Sequence, residues 1–326
     1  VLGARSWGTA LAILLGRNGA DVHLWGLADE VRRLTKDREN KVFLPGIELP
    51  STVRPTDSLD QALEGVQEIL TVVPSHAFAE VTRRIAPMLR PGTGICWATK
   101  GFDPHSKRLL HEVAAEVLGS SWDLAVISGP TFAKEVARGL PTAITVASPS
   151  AMHARRVAGY LHSDRFRAYT SQDIVGVQVG GAAKNVLAIA AGVADGLGFG
   201  ANTRAALITR GLRELTRLGM ALGGQPETFM GLAGLGDLAL TCTDDQSRNR
   251  RMGLCLARGL SVEQAKKEIG QEVEGVSATQ VVYHKARELG VNMPISEQVY
   301  RVIYQNISAE TATHALLERS IKDELE

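Results

Sequence analysis

Cysteine is scarce in this chain. Cys96, Cys242 and Cys255 are the only three, widely spaced and without a CxxC pair. That argues against a disulfide framework and points to a reducing compartment. A charge excess of either sign is also missing, since the formal balance is +1. No global basic field is present to draw nucleic acid or an anionic membrane surface. Low-complexity tracts and internal repeats are absent, and the opening residues carry no signal-peptide pattern. Long apolar runs reduce to one, 174–194. Its glycines, Gln178 and the Lys184-Asn185 pair suit a buried helix better than a membrane span. What the chain does have is 326 residues at 44% apolar composition, enough for two domain cores.

Within that run Lys184 is the only ionisable side chain. Burying an ammonium costs several kcal/mol unless it is paired or neutralised. A lysine placed there either snorkels to a surface or has a use.

Val1-Leu2 reads as the end of a first strand. A strand of two residues is incomplete, so a few residues are expected to precede it. Gly3-Ala4-Arg5-Ser6-Trp7-Gly8 follows, then an apolar helix from Thr9 to Gly16 and a second strand at Asp21–Trp25. Strand, glycine loop, helix, strand is the opening of a dinucleotide-binding fold. The loop reads G-x-R-x-x-G, with Arg5 where a second glycine lets backbone approach pyrophosphate. Arg5 either swings out to meet a phosphate or weakens cofactor binding. The second strand ends Leu24-Trp25-Gly26-Leu27, with no acid to take a ribose 2′-hydroxyl, which leans toward tolerance of NADP. Arg32 and Arg33 follow and suit a solvated helix face or a 2′-phosphate.

Further strands are expected at Ile69–Val73, Gly94–Ala98, Leu124–Ser128, Ala143–Ala147 and Phe166–Tyr169, with helices at His76–Leu89, Lys107–Leu118 and Phe132–Arg138. This alternation predicts a mostly parallel α/β sheet. Ligands collect at the carboxyl ends of such strands, where Pro74-Ser75, Thr99-Lys100-Gly101 and Gly129-Pro130-Thr131 lie. Lys100 suits an anionic ligand. After Ser171-Gln172-Asp173, a helix N-cap region, the pattern is helical to the end. The expected division is 1–172, a Rossmann-type α/β domain, and 173–326, an all-α domain.

Three groups in the second half carry chemistry: Gly231–Asp237 with Thr241, the cluster Ser247-Arg248-Asn249-Arg250-Arg251, and the acidic turn around Glu274. Singly, each has an ordinary role as a cap, a solvated face or a turn. Jointly, Arg, Ser and Asn donors suit a phosphate. A lysine in a dry site exchanges a proton nearer neutrality, and a carboxylate orients it. With a nicotinamide, that is alcohol/ketone interconversion on a small phosphorylated substrate.

At these residues the chain resembles the bacterial NAD(P)-dependent glycerol-3-phosphate dehydrogenases, nearly end to end. The likeness rests on Ser6-Trp7-Gly8-Thr9-Ala10-Leu11-Ala12, Phe43-Leu44-Pro45-Gly46, Val73-Pro74-Ser75-His76, Ala98-Thr99-Lys100-Gly101 and Ser128-Gly129-Pro130-Thr131-Phe132-Ala133. It continues through Gly181-Ala182-Ala183-Lys184-Asn185, the stretch 202–211, Gly234-Leu235-Gly236-Asp237 and 247–251. The resemblance implies reduction of dihydroxyacetone phosphate to sn-glycerol 3-phosphate, feeding phospholipid synthesis in the cytoplasm. The implied fold is a Rossmann domain plus a helical domain like that of 6-phosphogluconate dehydrogenase. NADP or NAD is the implied cofactor, no metal is expected, and a homodimer is. Lys184 matches the general acid/base, with Asp237 positioning it. Lys100, Gly129, Thr131, Asn185, Asp237, Thr241, Ser247, Arg248 and Asn249 match substrate contacts. Gly3, Ser6, Trp7, Gly8, Lys100, Ala133, Arg248 and Glu274 match cofactor contacts. Three positions depart from the pattern. Arg5 replaces a glycine, Leu27 stands where a polar or basic contact is expected, and Ala183 replaces a branched residue.

The competing readings are a relative acting on a hydroxy acid or sugar acid, which Ser247-Arg248-Asn249 disfavours, and an inactive metabolite-binding protein made so by Arg5. An RNA-binding module built on Arg248–Arg251 lacks an aromatic platform.

Overall fold

Leu2 joins two sets of strands. Its N–H donates to Leu70 O (2.8 Å), and the next N–H, of Gly3, donates to Trp25 O (2.9 Å). The computed structural model describes residues 1–319. The strands are β1 (Val22–Trp25), β2 (Val53–Thr56), β3 (Glu68–Thr71), β4 (Gly94–Trp97), β5 (Leu124–Ser128), β6 (Thr142–Ala147) and β7 (Phe166–Ser171). Their order is β2-β1, then Leu2, then β3-β4-β5-β6-β7. Every pair is parallel except β5–β6. This is the doubly wound arrangement expected from the alternating sequence.

Helices α1 (Ser6–Arg17), α2 (Ala28–Asp37), α3 (Leu59–Leu63), α4 (Ser75–Ile85), α5 (Leu110–Leu118), α6 (Ala133–Ala137) and α7 (Ala151–Leu161) connect the strands. Buried residues fill β4 and most of β3 and β5, because helices cover both faces. Trp97 is fully buried, with Phe78 edge-on at 5.5 Å. Sequence reading missed β2. Its Pro55 pairs opposite Leu24, and a strand with proline is tolerated because β2 is the sheet's edge.

The remaining helices are α8 (Ile174–Gly196), α9 (Ala201–Ala221), α10 (Pro226–Met230), α11 (Asp237–Thr243), α12 (Arg248–Ala257), α13 (Val262–Ile269), α14 (Glu274–Glu288), α15 (Pro294–Tyr304) and α16 (Ala309–Leu317). By length and composition α8 is apolar enough to cross a membrane, but 94% of its most apolar window is buried inside the protein.

Two compact units divide the chain: Val1–Gly181 with Gly224–Asp237, and Ala182–Gly223 with the residues from Leu238 onward. By compactness the division falls inside α8. Asp173 shows why. As the N-cap of α8 its Oδ1 accepts Gly176 N–H (2.7 Å), and its Oδ2 accepts Gln225 N–H (2.8 Å) and the Thr228 hydroxyl (2.6 Å). The first turns of α8 and the α10 segment are thus bound to the α/β unit.

In the helical unit α8 and α12 touch through glycine. A Cβ on Gly192 would stand 2.0 Å from Arg250 O, and one on Gly253 2.1 Å from Ile189 O. Glu214 of α9 is buried and caps α15. It accepts Ile295 N–H (2.6 Å), Ser296 N–H (3.1 Å) and the Ser296 hydroxyl (2.9 Å). Burial raises its pKa above the usual carboxylate value. A raised carboxyl pKa makes the ionised form the costly one, so this contribution to stability falls as pH rises from the unfolded value through the folded one. Glu214→Ala leaves those donors without their acceptor. It is expected to lower unfolding free energy by about 3 kcal/mol in urea titrations.

Candidate functional site

The glycine loop in the α/β unit is built by close approach. Gly3 has φ 123°, and a Cβ there would meet Val72 O at 2.6 Å. A Cβ on Gly8 would meet Gly3 O at 1.8 Å. Buried Asn40 holds the loop from behind, donating to Ala4 O (2.8 Å) and to the Thr9 hydroxyl (2.7 Å). Sequence reading missed that residue. Ser6, Trp7 and Gly8 form the first turn of α1, whose N–H groups lack intrahelical acceptors and favour a phosphate.

The acid sought at the end of β1 is present after all, supplied by α2. Glu30 Oε2 accepts the Leu27 N–H at 3.3 Å, and its Oε1 lies 3.9 Å from Arg5 Nε. The signal was Glu at the third helical position, the spacing at which a side chain folds back on its helix start. Arg32 pairs with Asp29 out in solvent, as a solvated face would.

At the carboxyl ends of β4 and β5, two segments meet. Thr99 donates to Val73 O (2.7 Å), fixing the turn. Lys100 Nζ donates to Gly129 O (3.0 Å) and to Asp237 Oδ2 (2.7 Å). Asp237 is 1% exposed and Lys100 18%, so the pair is nearly dry. The Thr131 hydroxyl donates to Gly129 O (3.1 Å), and Ala133 opens α6 just beyond. The paired glycines of α8 allow this crowding. A Cβ on Gly180 would stand 2.3 Å from Ala233 O, and one on Gly181 2.7 Å from Ser128 Oγ. Gly180→Val is expected to destabilise the protein by about 3 kcal/mol or more, read as a fall in Tm.

Trp7 Nε1 and Ser128 Oγ are buried without a protein partner. Buried polar atoms are nearly always hydrogen-bonded, so these two, with the glycine cradle, fit a unit that receives a polar ligand. Trp7 and Gly8, Lys100 and Ala133 all belong to it.

In the helical unit Lys184 is 5% exposed. Its Nζ donates to the Thr241 hydroxyl at 2.8 Å. It does not snorkel. Asn185 Oδ1 accepts from Asn249 Nδ2 (2.8 Å), and Asn249 Oδ1 accepts the Gly275 N–H (2.9 Å). That relay ties α8, α12 and α14 together and sets Glu274, the first residue of α14, beside Gly275. Ser247 caps α12 by accepting the Arg250 N–H (3.2 Å), and Arg248 opens that helix. Arg250 turns inward: it pairs with Asp195 at 2.7 Å and also with Asp245. It stands in the basic cluster seen in the sequence, and here it braces α8 against α12. Among the described residues no group of His, Cys, Asp and Glu is placed to hold a metal.

Two family models match this chain. The NAD-dependent glycerol-3-phosphate dehydrogenase N-terminus covers residues 1–154, and the C-terminus of the same family covers 173–314. The glycerol-3-phosphate dehydrogenase [NAD(P)+] of Vibrio cholerae is 55% identical over 99% of this chain and 95% of its own length. That of Pseudoalteromonas translucida is 55% identical over 99% and 97%. The crystal structure of glycerol-3-phosphate dehydrogenase from Coxiella burnetii superposes with a TM-score of 0.94 at 47% identity, covering 98% of each chain.

Proposed function

Because the chain belongs to the NAD-dependent glycerol-3-phosphate dehydrogenase family, we propose that it reduces dihydroxyacetone phosphate to sn-glycerol 3-phosphate, reversibly, with NADH or NADPH. The observation that carries this reading is Lys184, a buried ammonium held by the Thr241 hydroxyl inside an apolar helix.

The nicotinamide, when bound, supplies the hydride. Lys184 gives its proton to the alkoxide oxygen that forms at the former ketone, and in the reverse direction its neutral amine takes the hydroxyl proton. Thr241 aims the ammonium. Lys100 and Asp237 form a nearly dry charged pair at the strand ends of the α/β unit. Arg248, with Ser247 and Asn249, anchors the substrate phosphate, and Gly129, Thr131 and Asn185 shape its site. The first turn of α1 and Gly3, with Trp7, Ala133 and Glu274, hold the cofactor. Supporting these roles are the buried Lys100–Asp237 pair and the Asn185–Asn249–Gly275 relay.

Steady NADH or NADPH oxidation dependent on dihydroxyacetone phosphate is the direct test, run beside keto acids, the oxidised partners of hydroxy acids and sugar acids. Turnover of those and not of the phosphate would overturn the reading. Arg248→Ala is expected to raise KM for dihydroxyacetone phosphate by roughly tenfold to a hundredfold, the loss of one charge-assisted contact. An unchanged KM would remove Arg248 from the phosphate site.

The proposal includes a cytoplasmic homodimer serving phospholipid synthesis. Its three cysteines are free and buried, as suits a reducing compartment. The helical unit has an apolar groove of about 550 Å³ bordered by Leu207, Val302, Leu316 and Leu317, the kind of surface a second copy covers. A monomeric mass in light scattering would overturn the dimer.

A further inference from the structure

The glycine loop keeps the two glycines that its own packing demands and has lost the one that only a ligand demands. Gly3 and Gly8 have no room for a Cβ. Position 5 has φ −82° and ψ −170°, open to any residue. Arg5 therefore leaves the loop intact and changes only what arrives there.

Its guanidinium reaches toward the end of β1. The guanidinium carbon is 5.7 Å from the centroid of the Phe43 ring, and Nε is 3.9 Å from Glu30 Oε1. Glu30 is anchored by the Leu27 N–H and lies against Gly26. Gly26 and Leu27 follow the last residue of β1, which is where a doubly wound sheet meets the adenosine ribose and tells a 2′-hydroxyl from a 2′-phosphate. Leu27 itself is exposed and apolar. Alone, the Glu30 carboxylate would accept a ribose hydroxyl and repel a phosphate dianion. With Arg5 beside it, the same spot carries a planar cation suited to phosphate.

We propose that Arg5 is the residue through which this chain accepts a 2′-phosphorylated cofactor. Its guanidinium, braced on Phe43, exchanges the Glu30 carboxylate for the 2′-phosphate. When that phosphate is absent, Glu30 takes the ribose hydroxyl. The proposal rests on the dehydrogenase reading only for the class of cofactor.

The test is equilibrium binding by calorimetry, on the full chain without substrate, with 2′,5′-ADP and 5′-ADP as probes. Arg5→Ala is expected to weaken 2′,5′-ADP by about tenfold or more and 5′-ADP by less than about twofold. Glu30→Gln is expected to tighten 2′,5′-ADP by roughly twofold to fivefold. Arg5→Lys should fall between Arg5→Ala and the parent, because it keeps the charge and loses the fork. Equal weakening of both probes by Arg5→Ala would place Arg5 on the shared 5′-phosphate and overturn the proposal. Tightening of both would show that Arg5 obstructs the loop, and failure of the parent to bind either probe would also overturn it. The Arg5 side chain is 48% exposed, so unchanged Tm values are expected for the two Arg5 variants. Should Arg5→Ala misfold, Glu30→Gln and Arg5→Lys still decide the matter. No turnover is measured, so loss of the dehydrogenase reading would show instead as probes binding normally to a protein that does not reduce dihydroxyacetone phosphate.

Discussion

Lys184→Ala is expected to lower kcat for dihydroxyacetone phosphate reduction by about 10²–10⁴, the usual worth of a positioned proton donor. KM should change far less, because the phosphate anchor at Arg248 is separate. Lys184 is 5% exposed on an apolar helix, and its Nζ donates to the Thr241 hydroxyl at 2.8 Å. Tm is read beside kcat, because truncating a buried side chain also carries a packing cost. A purified variant with near-parent Tm and a collapsed kcat separates a proton-transfer role from a structural one. Near-parent kcat would refute the assignment.

Lys100→Met is expected to be costly in both respects. Asp237 is 1% exposed and accepts from Lys100 at 2.7 Å. Taking away the cation from a buried carboxylate costs about 3–5 kcal/mol, which should appear as a large fall in urea midpoint. Pairing the change with Asp237→Leu should recover most of that loss, since an apolar pair of similar volume often matches a buried ion pair. Activity should not recover. A double variant as unstable as Lys100→Met would show that the carboxylate charge is not the source of the cost. A double variant with restored turnover would remove both residues from the site.

The central strands were legible because short apolar runs sit between Gly, Pro and Asp signals, and β3 to β7 lie within a few residues of expectation. Lys184 was legible as the one charge in an apolar helix. Part of what stayed hidden depends on contacts far apart in sequence, and part on local backbone and side-chain geometry. β2, with Arg54 and Pro55, has no apolar alternation and exists because β1 offers it an edge. The antiparallel turn at β6 leaves no mark in an apolar run. Glu30 was read past because its role at Gly26 and Leu27 depends on a side chain folding back. Helix α11 was also missed, its start masked by Gly234 and Gly236, and Leu232–Gly236 winds as a π turn. Arg250 and Arg248 are two residues apart and look alike in sequence, and nothing in the spacing says that Arg250 turns inward to Asp195.

The carboxylate of Asp173 has a consequence for the order in which the molecule can be made. Its partners Gln225 and Thr228 lie in the 224–237 segment, which belongs to the first unit although most of α8 and all of α9 come between. A ribosome that has released Gly181 must add roughly fifty more residues before that segment emerges. At 5–20 residues per second this takes on the order of 3–10 s. For that interval the nascent α/β unit has its sheet but not its last segment, and the apolar turns of α8 await their cover. The interval is open to a chaperone that binds exposed apolar chain, and a stalled chain ending between residues 182 and 223 should be markedly more sensitive to protease than one ending after Asp237.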